Sequence, residues 1–135
     1  MKTAVERLAD AIGYPDRIPN GVSSFAFRVD GGEIDVAERG GRLLFSTLLA
    51  ADPADFARLA SYAPGRMLGE EASLAFDPPS KGLILWQDAP ASSPSAVLSE
   101  TFGKFADSCE WWRERASAAE PAGRTQRPPE EFITP

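Results

Sequence analysis

Residue types limit the chemistry this chain can do. It contains no histidine and a single cysteine, Cys109. Without imidazole, Ser-His and Cys-His nucleophilic catalysis lack their base, and zinc sites built on imidazole lack their ligands. Cys109 falls on an apolar stripe with Leu98, Phe102, Phe105 and Trp112, so it reads as a buried structural thiol. Carboxylates stand close together at Glu33 and Asp35, Glu70-Glu71 and Glu130-Glu131. A general acid and base must converge in a pocket, whereas neighbours on a strand or tail read as solvated charge. Gly31-Gly32 and Gly40-Gly41 each join two apolar alternating runs and open no helix, so they read as hairpin turns, not phosphate loops. The expectation is a protein without catalytic residues, cofactor or metal, whose work is binding.

Charge and length narrow the partners. The chain has 135 residues, 43% of them hydrophobic, with 14 Lys and Arg against 20 Asp and Glu, a net charge of -6. That supports one domain with its own core and disfavours nucleic acid, whose phosphates the acidic surface would repel. The first ten residues carry charges where a signal peptide needs an apolar run, and no stretch approaches the ~20 apolar residues of a membrane span. A cytoplasmic protein is expected, in keeping with the lone cysteine.

The elements that must position a binding surface follow from periodicity. Val5, Leu8, Ala9 and Ile12 recur at helical spacing, with Thr3 and Glu6 as a capping pair and Gly13 as a stop. Period-two runs then give strands at Ser24 to Val29, around Ile34 and Val36, and at Leu43 to Leu49, forming an antiparallel meander. Asp52 and Pro53 start a second helix, Pro53 to Ala63, that buries Phe56, Leu59 and Ala60 and is closed by Pro64-Gly65. Strands follow within Met67 to Asp77 and at Gly82 to Gln87, and the Leu98 to Trp112 stripe predicts a final helix to about Ala116. Residues 117–135, rich in Ala, Glu, Arg and Pro, read as a disordered tail after the 1–116 domain. The fold class is α+β, an antiparallel sheet flanked by three helices in the order α-β-β-β-α-β-β-α, and dimeric.

If Phe25, Phe27, Val29, Ile34, Val36, Leu43 and Phe45 face the helices, the opposite face carries Ala26, Leu44, Leu48 and, depending on register, Ile84 or Trp86. That is more apolar than a face left to water needs. It is covered by helix two or the tail, or it is a dimer or ligand surface. Trp111, off the buried stripe that holds Trp112, either packs on the sheet edge or serves as an interaction handle.

This element order, the acidic balance and the segments Phe27-Arg28-Val29-Asp30-Gly31, Glu33-Ile34-Asp35-Val36 and Leu74-Ala75-Phe76-Asp77-Pro78 resemble the class I type III secretion chaperones, the CesT/SycE-like family, over residues 1–116. The resemblance implies an α+β dimer, a homodimer by expectation, that binds the N-terminal chaperone-binding segment of a secreted effector and keeps it export-competent without ATP. It places Phe56, Leu59, Ala60, Met67 and Leu74 at the dimer seam, where the family uses its second helix and the following strand. It places Val5 and Leu8 on helix one, with Leu44, Leu48, Ile84 and Trp86 on the sheet, along the effector grooves. The alternatives are one subunit of a heterodimeric chaperone for a secretion gatekeeper, or a regulator that titrates a partner protein.

Overall fold

A computed structural model describes residues 1–66 and 69–122, with side chains to residue 117. Helix α1 spans Ala4–Ile12, as its spacing predicts. Thr3 and Glu6 close a capping box, which satisfies backbone N–H groups at the helix start. Gly13, at φ 68°, ends the helix in the left-handed region. Val5 and Leu8 are fully buried.

Strands β1 (Ser24–Val29), β2 (Gly32–Arg39) and β3 (Arg42–Ala50) form the expected meander. Asp30 and Gly31, both at positive φ, make the two-residue turn between β1 and β2, the geometry that matches the twist of a hairpin. Gly32 therefore belongs to β2 and pairs with Val29.

The segment predicted as one helix from Pro53 to Ala63 is broken into three. A 3-10 turn at Pro53–Asp55 leads into α2 (Phe56–Ala60), and a separate turn of helix, α3, spans Ala63–Arg66. Pro64 gives the reason: its ring would clash with the Ala60 carbonyl in a continuous helix and it has no N–H to donate. The chain breaks at Ser61-Tyr62 and restarts so that Pro64 falls in a first turn, where its missing N–H costs nothing. Pro64-Gly65 thus lies inside a helical turn and does not close α2. Of the predicted stripe, Leu59 is fully buried, Phe56 half-buried and Ala60 exposed.

Strand β4 (Ser73–Asp77) begins later than the broad Met67 to Asp77 reading, and β5 (Gly82–Pro90) runs longer than Gly82 to Gln87. The sheet is fully antiparallel with strand order β1-β2-β3-β5-β4. Strand β5 inserts beside β3, which leaves β1 and the short β4 at the edges.

Helix α4 spans Ser95–Ala122, past the expected end near Ala116. The Ala116-Ser117-Ala118-Ala119-Glu120 run favours helix, and Pro121 falls only in the last turn. The rest of the tail, 123–135, lies outside the described residues. The α4 stripe Leu98, Phe102, Phe105, Cys109 and Trp112 is buried throughout. Phe102 packs against Phe27 at 5.7 Å and Phe45 at 5.6 Å between ring centroids, which fixes α4 on the inner sheet face.

A polar clamp holds the same helix farther along. Arg113 Nη2 donates to the Glu33 carbonyl at 3.2 Å and to Thr47 Oγ1 at 3.1 Å. Thr47 Oγ1 donates in turn to the Glu33 carbonyl at 2.8 Å, so a hydroxyl buried in the inner face has its partners.

Candidate partner-binding surfaces

The side chains of one sheet face are read directly from the register. On the outer face Leu48 stands opposite Ile84, which stands opposite Ala75. The next row is Ala26, Asp35, Ser46, Trp86 and Ser73, and the next contains Ala37, Leu44 and Asp88. The buried residues of α1, α2 and α4 join one core with the inner-face residues. Leu44, Ile84 and Trp86 are only half-buried, and Leu48 is 50% exposed. Leu44, Ile84 and Trp86, with Ala37, Ser46 and Ala75, floor an open depression of about 580 Å³ with Asp35, Asp77 and Arg39 at its margin, and Leu48 stands on the same face beside Ile84. The four sheet residues expected to meet a partner thus share one surface. Helix two does not supply the expected cover, because its Leu59 enters the inner core and its Phe56 meets Phe76.

Charges on this face are unequally satisfied. Asp88 pairs with Arg42 at 3.0 Å, and Asp77 accepts the Ser80 N–H at 3.2 Å. Asp35 has no ion-pair or hydrogen-bond partner among the described residues. Although the residue is exposed, partial desolvation beside the apolar surface, and then the charge of Glu33 on the same strand face, push its carboxyl above the usual range.

A second apolar surface lies where β4 meets α2. Phe76 is 55% exposed and sits edge-on to Phe56 at 6.1 Å, with Leu74 half-buried beside them. Of the expected seam residues, Phe56 and Leu74 are near this surface, Leu59 is within the core, and Ala60 is exposed. Met67 lies outside the described residues. Sequence reasoning missed Phe76, although its alternation with Leu74 puts both on one side of β4. Which inner-facing residues stay uncovered depends on where α2 breaks.

Val5 and Leu8 present no surface, so neither side chain can touch a partner while α1 is docked. This corrects their expected place in an effector groove: the apolar stripe of α1 is needed to close the inner core.

The β1 edge of the sheet is partly capped. Odd-numbered residues of β1 exchange hydrogen bonds with β2, so the backbone groups of Ser24, Ala26 and Arg28 point outward. The Arg28 N–H is capped by Tyr14 Oη at 3.1 Å. The Tyr14 ring is held edge-on to Phe27 at 4.8 Å and Phe25 at 6.0 Å.

Other conspicuous residues are structural. Trp111 packs under two guanidiniums, Arg66 at 4.4 Å and Arg115 at 3.9 Å from its ring, with Tyr62 edge-on at 6.0 Å. Glu70 is not a solvated charge as its sequence setting suggested: Ser108 Oγ donates to it at 3.1 Å and Arg66 pairs with it. Glu71 accepts from the buried Gln87 Nε2 at 3.1 Å, so the two carboxylates tie the approach to β4 onto α4 and β5. The Cys109 thiol is fully buried, and burial pushes its pKa up to about 12, which suppresses the nucleophilic thiolate. Among the described residues no cluster of His, Cys, Asp and Glu has the makings of a metal site, and no helix is long and apolar enough to cross a membrane.

No protein-family model matches the chain, and no curated protein matches it by sequence. Solved structures do. A chain of the HopA1-SchA chaperone-effector complex superposes with a TM-score of 0.60 at 16% identity, covering 79% of this chain and 88% of that one. A chain of the heterodimeric ExoU-SpcU complex from the type III secretion system of Pseudomonas aeruginosa gives 0.61 at 18% identity, covering 86% and 97%. YbjN from E. coli, a candidate transcription regulator, gives 0.53 at 14% identity, covering 92% and 93%. At these identities the likeness is one of fold: a five-stranded antiparallel α+β domain of the kind found in type III secretion chaperone complexes.

Proposed function

We propose that this protein is an ATP-independent type III secretion chaperone of the bacterial cytoplasm. In this reading it binds the N-terminal chaperone-binding segment of a secreted effector and keeps that segment unfolded and export-competent. The observation that carries the reading is the outer sheet face, where Leu44, Leu48, Ile84 and Trp86 gather on a fold shared with chains of chaperone-effector complexes. An extended segment suits such a surface, since its alternate side chains reach one face together. The protein acts as a homodimer, with Phe56, Leu74 and Phe76 at the seam, because a monomer gains little from leaving this second apolar surface in water.

The test is crosslinking and pull-down from native bacterial cytoplasm with peptide identification, followed by affinity measurements on the captured segment. Leu44→Asp and Leu48→Asp should each weaken binding by about 30-fold or more, the equivalent of losing an anchor worth ~2 kcal/mol. Changing Glu33 should have a much smaller effect, and binding should persist in high salt. Binding that collapses between low and moderate salt, with the leucine variants silent, would overturn the mechanism.

The likeness to YbjN favours one second reading, a regulator that titrates a partner protein. It predicts capture of a folded regulator in place of an unfolded N-terminal segment. A heterodimeric chaperone would be recognised by a different protein occupying the Phe56 and Phe76 seam.

A further inference from the structure

The reading of the outer sheet face as a docking surface can be taken to the chemistry of its occupant. We propose that this face selects a segment carrying a lysine or arginine between apolar side chains, with the cation at Asp35 and its neighbours over Leu44, Ile84 and Trp86. The proposal rests on the function proposed above.

Asp35 shares its row with Ala26 and Ser46, its cross-strand neighbours on β1 and β3, and with Trp86 beyond Ser46. Small residues on either side leave space for a long side chain. The row spans Asp35 to Trp86 across two strand intervals, about 10 Å. A lysine or arginine stem could lie over Ser46 and the indole edge while its charged end reaches the carboxylate.

Of the aspartates on this face, Asp77 and Asp88 already have partners. Asp35 does not, although Arg28 stands on the same face opposite Glu33 and Arg39 lies farther along β2. Apolar surface on one side and Glu33 on the other disfavour an anion here in the free protein and push the carboxyl upward. A bound cation would relieve that penalty. Apolar contacts would still supply most of the binding strength, with Asp35 setting the choice among segments.

The experiment uses the full-length protein and two capped synthetic peptides, Leu-Ser-Leu-Thr-Lys-Thr-Leu-Ser-Leu and its mate with uncharged norleucine at the lysine. In the extended form the leucines and the central residue face one side. The native protein should bind the lysine peptide about three- to tenfold more tightly at low salt. Asp35→Asn should abolish that preference while retaining both peptides, and Asp88→Asn should leave the preference in place. Equal binding of the two peptides by the native protein, or a preference that survives Asp35→Asn, overturns the role of Asp35 alone. Failure to bind either peptide overturns the face as a segment-docking surface. The chaperone reading is then decided separately by the pull-down. If Leu48→Asp instead turns a dimer into a monomer, the face belongs to a second copy of the chain and the proposal falls.

Discussion

Replacing Gly32 by alanine should destabilise the protein by about 1–2 kcal/mol, although the same change at an ordinary strand position gains about 0.5–1 kcal/mol from reduced backbone freedom in the unfolded chain. Gly32 does not have a positive φ, so the cost must come from its surroundings. A Cβ at this position would stand 2.5 Å from Arg113 Nη1, far inside contact distance. Because that atom ends a flexible side chain, the guanidinium would swing away while the backbone stays. It would then lose its bonds to the Glu33 carbonyl and Thr47 Oγ1. Two charge-assisted bonds, discounted for renewed solvation of Arg113, are worth about 2–3 kcal/mol, which exceeds the entropic gain. Urea unfolding should show the loss directly, and thermal melting should fall by about 3–8 °C. The decisive comparison is with Arg113→Ala, in which Gly32→Ala should become neutral or slightly stabilising. An equal cost in both backgrounds would refute the clamp.

Leu59→Asp should abolish cooperative unfolding because it buries a charge in the core, whereas Phe76→Asp should keep the melting transition and convert the proposed dimer to a monomer in light scattering. Tyr14→Phe should accelerate hydrogen exchange at the Arg28 amide and leave the fold intact, since only the hydroxyl cap on the β1 edge is lost. Asp35→Asn should raise the melting temperature slightly at neutral pH. The fold disfavours the ionised carboxylate, through partial desolvation and then Glu33, with Arg28 and Arg39 unpaired to it. The gain should vanish as pH falls below about 4, where the carboxyl is protonated in both states. A melting temperature that drops at neutral pH would reverse this sign and show that Asp35 stabilises the fold.

Local rules made the outline of the fold legible. Thr3 with Glu6, Asp30-Gly31 and the Leu98 to Trp112 stripe each encode a cap, a turn and a buried helix face within a few residues, and the structure has all three. Alternation along β3 likewise separates Leu44 and Leu48 from Leu43 and Phe45, whereas the uniformly apolar Leu83 to Trp86 run needs the β3–β5 register to put Ile84 and Trp86 on their side. The remainder depended on contacts distant in sequence. Periodicity on α1 identifies Val5 and Leu8 as apolar-face residues but cannot say whether core or partner meets that face. The break at Ser61-Tyr62 was foreshadowed by Pro64, yet its effect on Ala60 and Phe76 emerged only when α2 was seated against the sheet. Glu70 looked solvated because Ser108, its donor, lies 38 residues away.

The burial of Cys109 makes the chain its own chemical timer. A thiol on the buried face of α4, pushed up to about pKa 12, cannot react with a disulfide reagent until the helix lifts from the sheet. At low reagent concentration the labelling rate therefore reports how often the core is open, and at saturating reagent it reports how fast it opens. No engineered probe is needed to measure either quantity. Repeated with a segment docked on the opposite face of the sheet, the same reaction would reveal whether occupancy of that outer surface tightens the layer beneath it.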